Sequence, residues 1–331
     1  MRLKSQNTVI YIGLIGFVPR RLIVKTTRNF YILFILFLTA GLFLSCGTAP
    51  PVETADGWTA PEFPVPHELS PQWQSFSRGV DYFEASIRDP RLKLWALRID
   101  LSDPAVSVVI NDPGPAASVV ESIKTTTFAE TYGCAAAINT NPFDPASAVE
   151  GEERRVVGLA VSRGRVISPP DPRYGALVFY RSGKAAAVHQ GEIQTTDTIE
   201  NAAGGFFMVL ENGRLPESVP EHRQNLRFPR SAAGVSLDGS VFYLLAIDGR
   251  RSSSVGATEA ETGIILKGLG ASSGLIFDGG GSTALALRFP DGKIRTLNTP
   301  VHGGIPGRER AVATCLGIRV LENPPEQPRD N

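Results

Sequence analysis

The stretch AAGVSLDGSVFYLLAID, residues 232–248, decides the fold class. Two apolar runs flank Asp238-Gly239, and an Asp-Gly joint between apolar runs marks a tight β-hairpin, because glycine accepts the positive φ such a turn needs. The same arrangement recurs three times. Arg163-Gly164 separates GLAVS from RVIS, Ser182-Gly183 separates ALVFY from AAAVH, and Asp291-Gly292 separates TALALRF from KIRTL. Trp95, Leu97, Ile99 and Leu101 alternate with Ala96, Arg98 and Asp100, which reads as a half-buried strand.

Helices are fewer. Thr258 and Glu261 form a capping-box pattern that opens a helix running to about Leu269, with Gly270 placed to end it. A second helix is expected over Val119–Tyr132. The expected fold is therefore α+β: a mostly antiparallel or mixed sheet with a few covering helices, in a single domain over residues 76–322. No repeat at solenoid spacing, Rossmann fingerprint or Walker loop is present.

Of 331 residues, 33 are Lys or Arg and 33 are Asp or Glu, for a formal charge of zero. The distribution is uneven. Arg2, Lys4, Arg20, Arg21, Lys25 and Arg28 are the six basic residues of the first 45, which hold no acid. Removing them leaves 27 basic against 33 acidic residues, a body of formal charge −6. Such a body argues against a nucleic-acid partner.

Residues 30–45, FYILFILFLTAGLFLS, are 16 in a row without charge. That falls short of the roughly 20 apolar residues a spanning helix needs and fits a signal-peptide core. Cys46 follows directly, ahead of a Pro-rich stretch. The expectation is a lipoprotein-type signal over residues 1–45, lipidation at Cys46, a tether over 46–75 and a loose tail over 323–331. The chain would then sit in the cell envelope, held to the membrane by its lipid and facing away from the cytoplasm. An uncleaved anchor and an ordinary cleaved signal are the alternatives. Cys134 and Cys315 lie in apolar contexts and read as buried thiols, with a disulfide permitted by export.

Polar groups gather where apolar runs end. Asp278-Gly279-Gly280-Gly281-Ser282-Thr283 follows GLIF: a carboxylate, then three residues without Cβ whose N–H groups suit an anion. Its bland reading is a Gly-rich turn with a capping Asp. Asp248-Gly249-Arg250 ends another run, Phe228-Pro229-Arg230 begins one, Asn139-Thr140-Asn141-Pro142-Phe143-Asp144 ends a third, and Arg308 and Arg310 precede the last. Repeated polar strand ends suggest one site on a common edge.

Ser254-x-Gly256-x-Thr258-x-x-Glu261, a helix, and then Asp278-Gly-Gly-Gly-Ser-Thr resembles the phosphodiester glycosidase family. Asn139 with Phe143-Asp144, Gly204-Gly205, Arg230, Asp248-Gly249-Arg250, Asn298 and Arg310 support the resemblance in family order, over about residues 80–321. Departures are Asn-Thr-Asn-Pro-Phe at 139–143 where Asn-Gly-Gly-Phe-Phe is frequent, Thr262-Gly263 in place of Leu-Ala, and Ser282-Thr283 in place of Ser-Ser.

The resemblance implies hydrolysis between an anomeric sugar carbon and a phosphodiester oxygen, with a glycosyl-phosphodiester as substrate partner. Asp278 is then the first candidate for the catalytic carboxylate, Asp248 the second, and Glu261 the third, although capping its own helix accounts for Glu261 fully. Arg230 and Arg310 are the expected phosphate clamp, joined by Arg250, the Gly279, Gly280 and Gly281 backbone and Ser282. Asn139 and Asn298 either bind sugar groups or tie strand ends to loops. His302 lies in a loop near these motifs. No spacing demands a metal and no cofactor is expected, though a divalent cation is compatible with carboxylates meeting phosphate. A non-catalytic envelope glycan-binding lipoprotein and a phosphoesterase cutting P–O are the competing functions.

Overall fold

The computed structural model describes residues 69–217 and 226–321. The leader, Cys46, most of the tether and the tail lie outside these residues. All four expected hairpins are present. Arg230–Val235 pairs antiparallel with Val241–Ile247 around Asp238-Gly239, and Leu285–Arg288 pairs with Ile294–Thr296 around Asp291-Gly292. Ala160–Ser162 pairs with Arg165–Ser168, and Gly175–Tyr180 with Ala185–His189.

A seven-stranded sheet runs in the order Gln74–Ser77, Val80–Arg88, Arg91–Asp100, Val241–Ile247, Arg230–Val235, Ser273–Ile276, Met208–Leu210. The hairpins at 160–168 and 175–189 join Ile199–Gly204 in a five-stranded sheet. A second five-stranded sheet is ordered Ile294–Thr296, Leu285–Arg288, Ala136–Asn139, Cys315–Val320, Val106–Ile110. Val119–Glu121, Glu153–Val156 and Phe143–Asp144 form a small further sheet. Two α-helices occur among the described residues: α1, Thr125–Thr131, and α2, Glu259–Leu269. The sheet content therefore exceeds the α+β expectation, and the fold is dominated by antiparallel sheet.

One core lies between the three large sheets. Leu97, Ile99 and Leu244 of the seven-stranded sheet meet Leu177 and Phe179 of one neighbour and Ile138, Leu285 and Leu316 of the other. The opposite face of the seven-stranded sheet is covered by α2, whose Ile264, Ile265, Leu266 and Leu269 pack on Leu92, Leu94, Ala96 and Leu245. Each Leu or Ile among these contributes roughly 1.5–3 kcal/mol on burial. Leu69 and Trp73 pack against this second core.

Two expectations change. The Arg91–Asp100 strand is not simply half-buried, because α2 covers the face carrying Leu92, Leu94 and Ala96 and leaves Arg98 and Asp100 open. The helix expected over Val119–Tyr132 is only its second half. The β-branched Val119 and Val120 take part in a ladder with Arg155 and Arg154 instead. Lys124 then precedes α1 without capping it. Glu150 accepts from the Lys124 N–H at 2.7 Å and Glu309 from the Thr126 N–H at 3.2 Å, so distant carboxylates replace the missing cap.

Cys134 and Cys315 are both free and buried, and burial pushes the Cys134 thiol up to about 12. In α2 the capping box forms as expected: Thr258 accepts from the Glu261 N–H at 3.1 Å and Glu261 accepts from the Thr258 N–H at 2.8 Å. Gly270 ends the helix in the left-handed region at φ 111°.

Gly263 sits in the middle of α2, where a side chain would run into the Val209 carbonyl of the adjoining strand. Glycine there costs about 1 kcal/mol of helix propensity against alanine, yet it permits the close contact. Gly263→Ala should accordingly lower the melting temperature, since overpacking costs about 1–3 kcal/mol and outweighs the propensity gain. A raised melting temperature in thermal unfolding would show that α2 does not need this contact.

Candidate active site

The polar strand ends converge. Asp278 continues the Ser273–Ile276 strand beyond Phe277, whose N–H bonds Ser231 O at 2.8 Å. The Asp278 N–H donates to Thr140 O at 2.8 Å, and Asn139 Nδ2 donates to Asp278 O at 2.6 Å. Asn139 also accepts from Ser231 Oγ at 2.6 Å and from the Ala284 N–H at 3.1 Å. This fully buried amide joins three strand ends, so of its two readings the tie between strands is the one realised. Asn298 behaves likewise, accepting from the Leu285 N–H and donating to Thr283 O.

The glycine loop turns tightly over Gly280–Ser282. Gly279 N–H serves the Asp278 carboxylate and Gly280 N–H bonds Pro229 O at 2.9 Å. Ser282 and Thr283 N–H bond back to Gly279 and Gly280. Among the described residues only the Gly281 N–H of this loop lacks an acceptor, so the expected nest of three donors reduces to one. The glycines at 280 and 281 answer a second demand. A Cβ on Gly280 would lie 3.0 Å from Arg250 Nη2, and one on Gly281 would lie 2.6 Å from Arg310 Nη2.

Two guanidinium groups therefore press on bare backbone beside Asp278. Arg250 is exposed, has φ 57°, and lies over the Phe228 ring at 5.7 Å. Arg310 is half-buried, donating through Nη1 to Ser282 Oγ at 3.0 Å and through Nε to His302 Nδ1 at 3.0 Å. Burial pulls the Arg310 value down, Asp278 raises it, and the like charge of Arg250 lowers it further. Among the described residues Arg250, Arg308 and Arg310 form no ion pair.

Arg230 is placed differently from the expected clamp. Its Nε donates to Ala257 O at 2.9 Å, its Nη2 to Leu226 O at 3.3 Å, and its Nη1 lies 4.0 Å from Glu259 at the start of α2. Its guanidinium stacks on the same Phe228 ring as Arg250, at 5.4 Å. Phe228 thus links the two arginines, a contact the spacing did not reveal.

The three carboxylates separate by environment. Glu261 is bound by Arg227 through both oxygens and by the Thr258 N–H, which leaves it a structural cap. Nothing in the sequence singles out Arg227, which reaches Glu261 across 34 positions. Asp248 is buried, accepts from the Thr299 N–H at 2.8 Å and from Arg251 at 3.2 Å, and burial raises its value. Asp278 keeps some solvent contact and accepts from Ser282 Oγ. Burial pushes it up to about 6, against the opposing pull of Ser282, Arg310 and the Gly279 N–H. Among the described residues no three His, Cys, Asp or Glu side chains are arranged to hold a metal ion.

A family profile described as phosphodiester glycosidase matches residues 132–319. The chain belongs to the phosphodiester glycosidase family. The matched span takes in the Asn139 tie, Arg250, the Gly loop and Arg310. Among solved structures, the catalytic domain of zebrafish N-acetylglucosamine-1-phosphodiester alpha-N-acetylglucosaminidase, auto-inhibited by its pro-peptide, is 20% identical with a TM-score of 0.56, over 76% of this chain and 86% of that one. A hypothetical protein from Synechocystis is 17% identical with a TM-score of 0.57, over 76% of this chain. The match spans 64% of the Synechocystis chain, less than two thirds. A putative exported protein from Burkholderia pseudomallei is 16% identical with a TM-score of 0.50, over 69% of this chain and 74% of that one. No curated protein matches. At these identities the structural likeness speaks to fold alone.

Within this glycosidase-family domain, the raised Asp278 value has a consequence for stability. The folded state holds the proton that the unfolded chain releases near the ordinary value of 3.8, so stability falls as pH rises toward 6. Above that window the ionised Asp278 destabilises the fold. Asp278→Asn should therefore melt higher than the native protein above pH about 7, with the gain shrinking below about 4. A lower melting temperature for the variant at neutral pH would show that the ionised carboxylate is stabilising.

Proposed function

We propose that the protein is an exported hydrolase that breaks the bond between an anomeric sugar carbon and a phosphodiester oxygen, in envelope or exopolysaccharide glycoconjugates. The observation that carries this reading is the gathering of Arg250 and Arg310, without carboxylate ion pairs among the described residues, on the Gly280–Gly281 backbone beside Asp278.

Glycosidases acting on ordinary glycosides use two carboxylates, one of them an acid for the leaving oxygen. A phosphate oxygen departs as an anion without protonation, so one ionised carboxylate and a cationic leaving-group site suffice. That matches a site in which Asp248 and Glu261 are engaged by the protein and Asp278 faces the cations. In this account Arg250, Arg310 and the Gly281 N–H take the charge that develops on the phosphate. Asp278 stabilises the oxocarbenium-like sugar, and water supplies the new anomeric hydroxyl. The bond to the phosphate oxygen breaks with its electron pair, and the second proton of the water passes to the released phosphate or to solvent, giving free sugar and a phosphomonoester.

The products decide the reading. Incubation with a sugar α-1-phosphodiester should give free sugar and phosphomonoester, and Arg250→Ala should lower kcat/KM about a hundredfold as transition-state charge loses its partner. Sugar phosphate as product would mean P–O cleavage instead, and binding without turnover would mean a glycan-binding protein.

The basic leader, the uncharged 30–45 run and Cys46 support a lipid-anchored envelope location. On that reading Cys46→Ser should move the protein from the membrane to the soluble fraction on cell fractionation. Retention in the membrane would point to an uncleaved anchor.

A further inference from the structure

His302 opens a short turn, His302–Gly304, that packs against the Gly280–Ser282 turn of the site. Its backbone N–H bonds Arg308 O at 3.0 Å, and Gly304 N–H bonds Val301 O at 3.0 Å, which holds the turn in place. Its half-buried ring meets Arg310, with Nε of the guanidinium 3.0 Å from Nδ1 of the imidazole. A guanidinium nitrogen only donates, so Nδ1 is the acceptor and the ring carries its one proton on Nε2. The surroundings enforce that state. Burial, then the charges of Arg310 and Arg308, hold His302 below its ordinary value.

Arg310 is thereby fixed at two points. Nε is held by His302 and Nη1 by Ser282 Oγ, which in turn donates to Asp278, while Nη2 lies against the Gly281 backbone. A free arginine side chain samples many rotamers, and an unheld fork presents no defined pair of donors to an anion. The usual partner for Nε is a carboxylate, which orients the guanidinium but also cancels its charge. A neutral imidazole orients without cancelling.

We propose that His302 is a positioning residue for the anion site: a neutral acceptor that aims Arg310 at phosphate while leaving its charge available. The proposal rests on the phosphate reading of the site given above. It predicts a ranking of side chains at position 302 that burial or packing alone does not produce. Asparagine places an amide oxygen where Nδ1 stands and keeps a neutral acceptor. Alanine removes the acceptor. Aspartate keeps the acceptor and adds a negative charge.

The test is calorimetric titration of the full chain with inorganic phosphate, beside the melting temperature of each variant. His302→Ala should weaken phosphate binding about tenfold or more, as expected for losing a hydrogen bond to a charged group. His302→Asn should stay within about threefold of the native protein, and His302→Asp should bind at least as weakly as the alanine variant despite a normal melting temperature. If the His302→Asp variant binds phosphate like the native protein, or if asparagine fails to rescue, the proposal is overturned. Absence of phosphate binding by the native protein overturns it as well. Phosphate binding is read without turnover, so an inactive native protein would remove the hydrolase reading and leave this inference standing.

Discussion

The side chain of Asn139 reaches two segments far from it in sequence: the Ser231 hydroxyl, and the Asp278 carbonyl and Ala284 N–H at the two ends of the Gly loop. Ser231 belongs to the seven-stranded sheet, Asn139 lies at the end of a strand in a five-stranded sheet, and Ala284 follows the Gly loop. With no exposed surface, the amide has no water to replace a lost partner. Truncating it would strand buried polar groups at about 1–3 kcal/mol each. The Asp278 backbone is held by this amide and by the Thr140 carbonyl, which accepts from its N–H at 2.8 Å.

From that fixed point the electrostatics follow. Arg250 and Arg310 crowd onto backbone that carries no Cβ, close enough for the charge of one to depress the other. Like charges brought together in a partly desolvated place are unfavourable until an anion joins them. Asp278 offsets part of that cost, and its own burial keeps it from offsetting all of it. Residues 76–322 are close to neutral by sequence, with 26 basic against 27 acidic side chains, so their net charge gives an anion little long-range steering. On the proposed reading, recognition of the phosphate would fall to these local donors.

The sheet fold was legible because it is written in local chemistry. Glycine at the second turn position marked each of the four hairpins, and the Thr258–Glu261 box marked α2. The shortened α1 was not legible, since Val119 and Val120 satisfy a helical pattern until a partner strand at 153–156 is known. The candidate residues that come together, Asp278, the Gly loop, Ser282, Arg250 and Arg310, were legible because each ends or begins an apolar run. Which partner each candidate side chain meets was not. Arg230 and Arg250 look equivalent in sequence, and only the placement of α2, with Glu259 and the Ala257 carbonyl at its start, draws Arg230 aside. The same holds for Glu261, whose partner Arg227 is remote, and for His302, whose neutrality arises from burial and from two arginines of its own loop.

The most direct test of the phosphate site is a crystal structure of the protein soaked with a sugar 1-phosphate. The phosphate should lie within hydrogen-bond distance of Arg250, Arg310 and the Gly281 N–H, with the anomeric carbon facing the Asp278 carboxylate. Phosphate bound by Arg230 instead, or a sugar ordered away from Asp278, would contradict that placement.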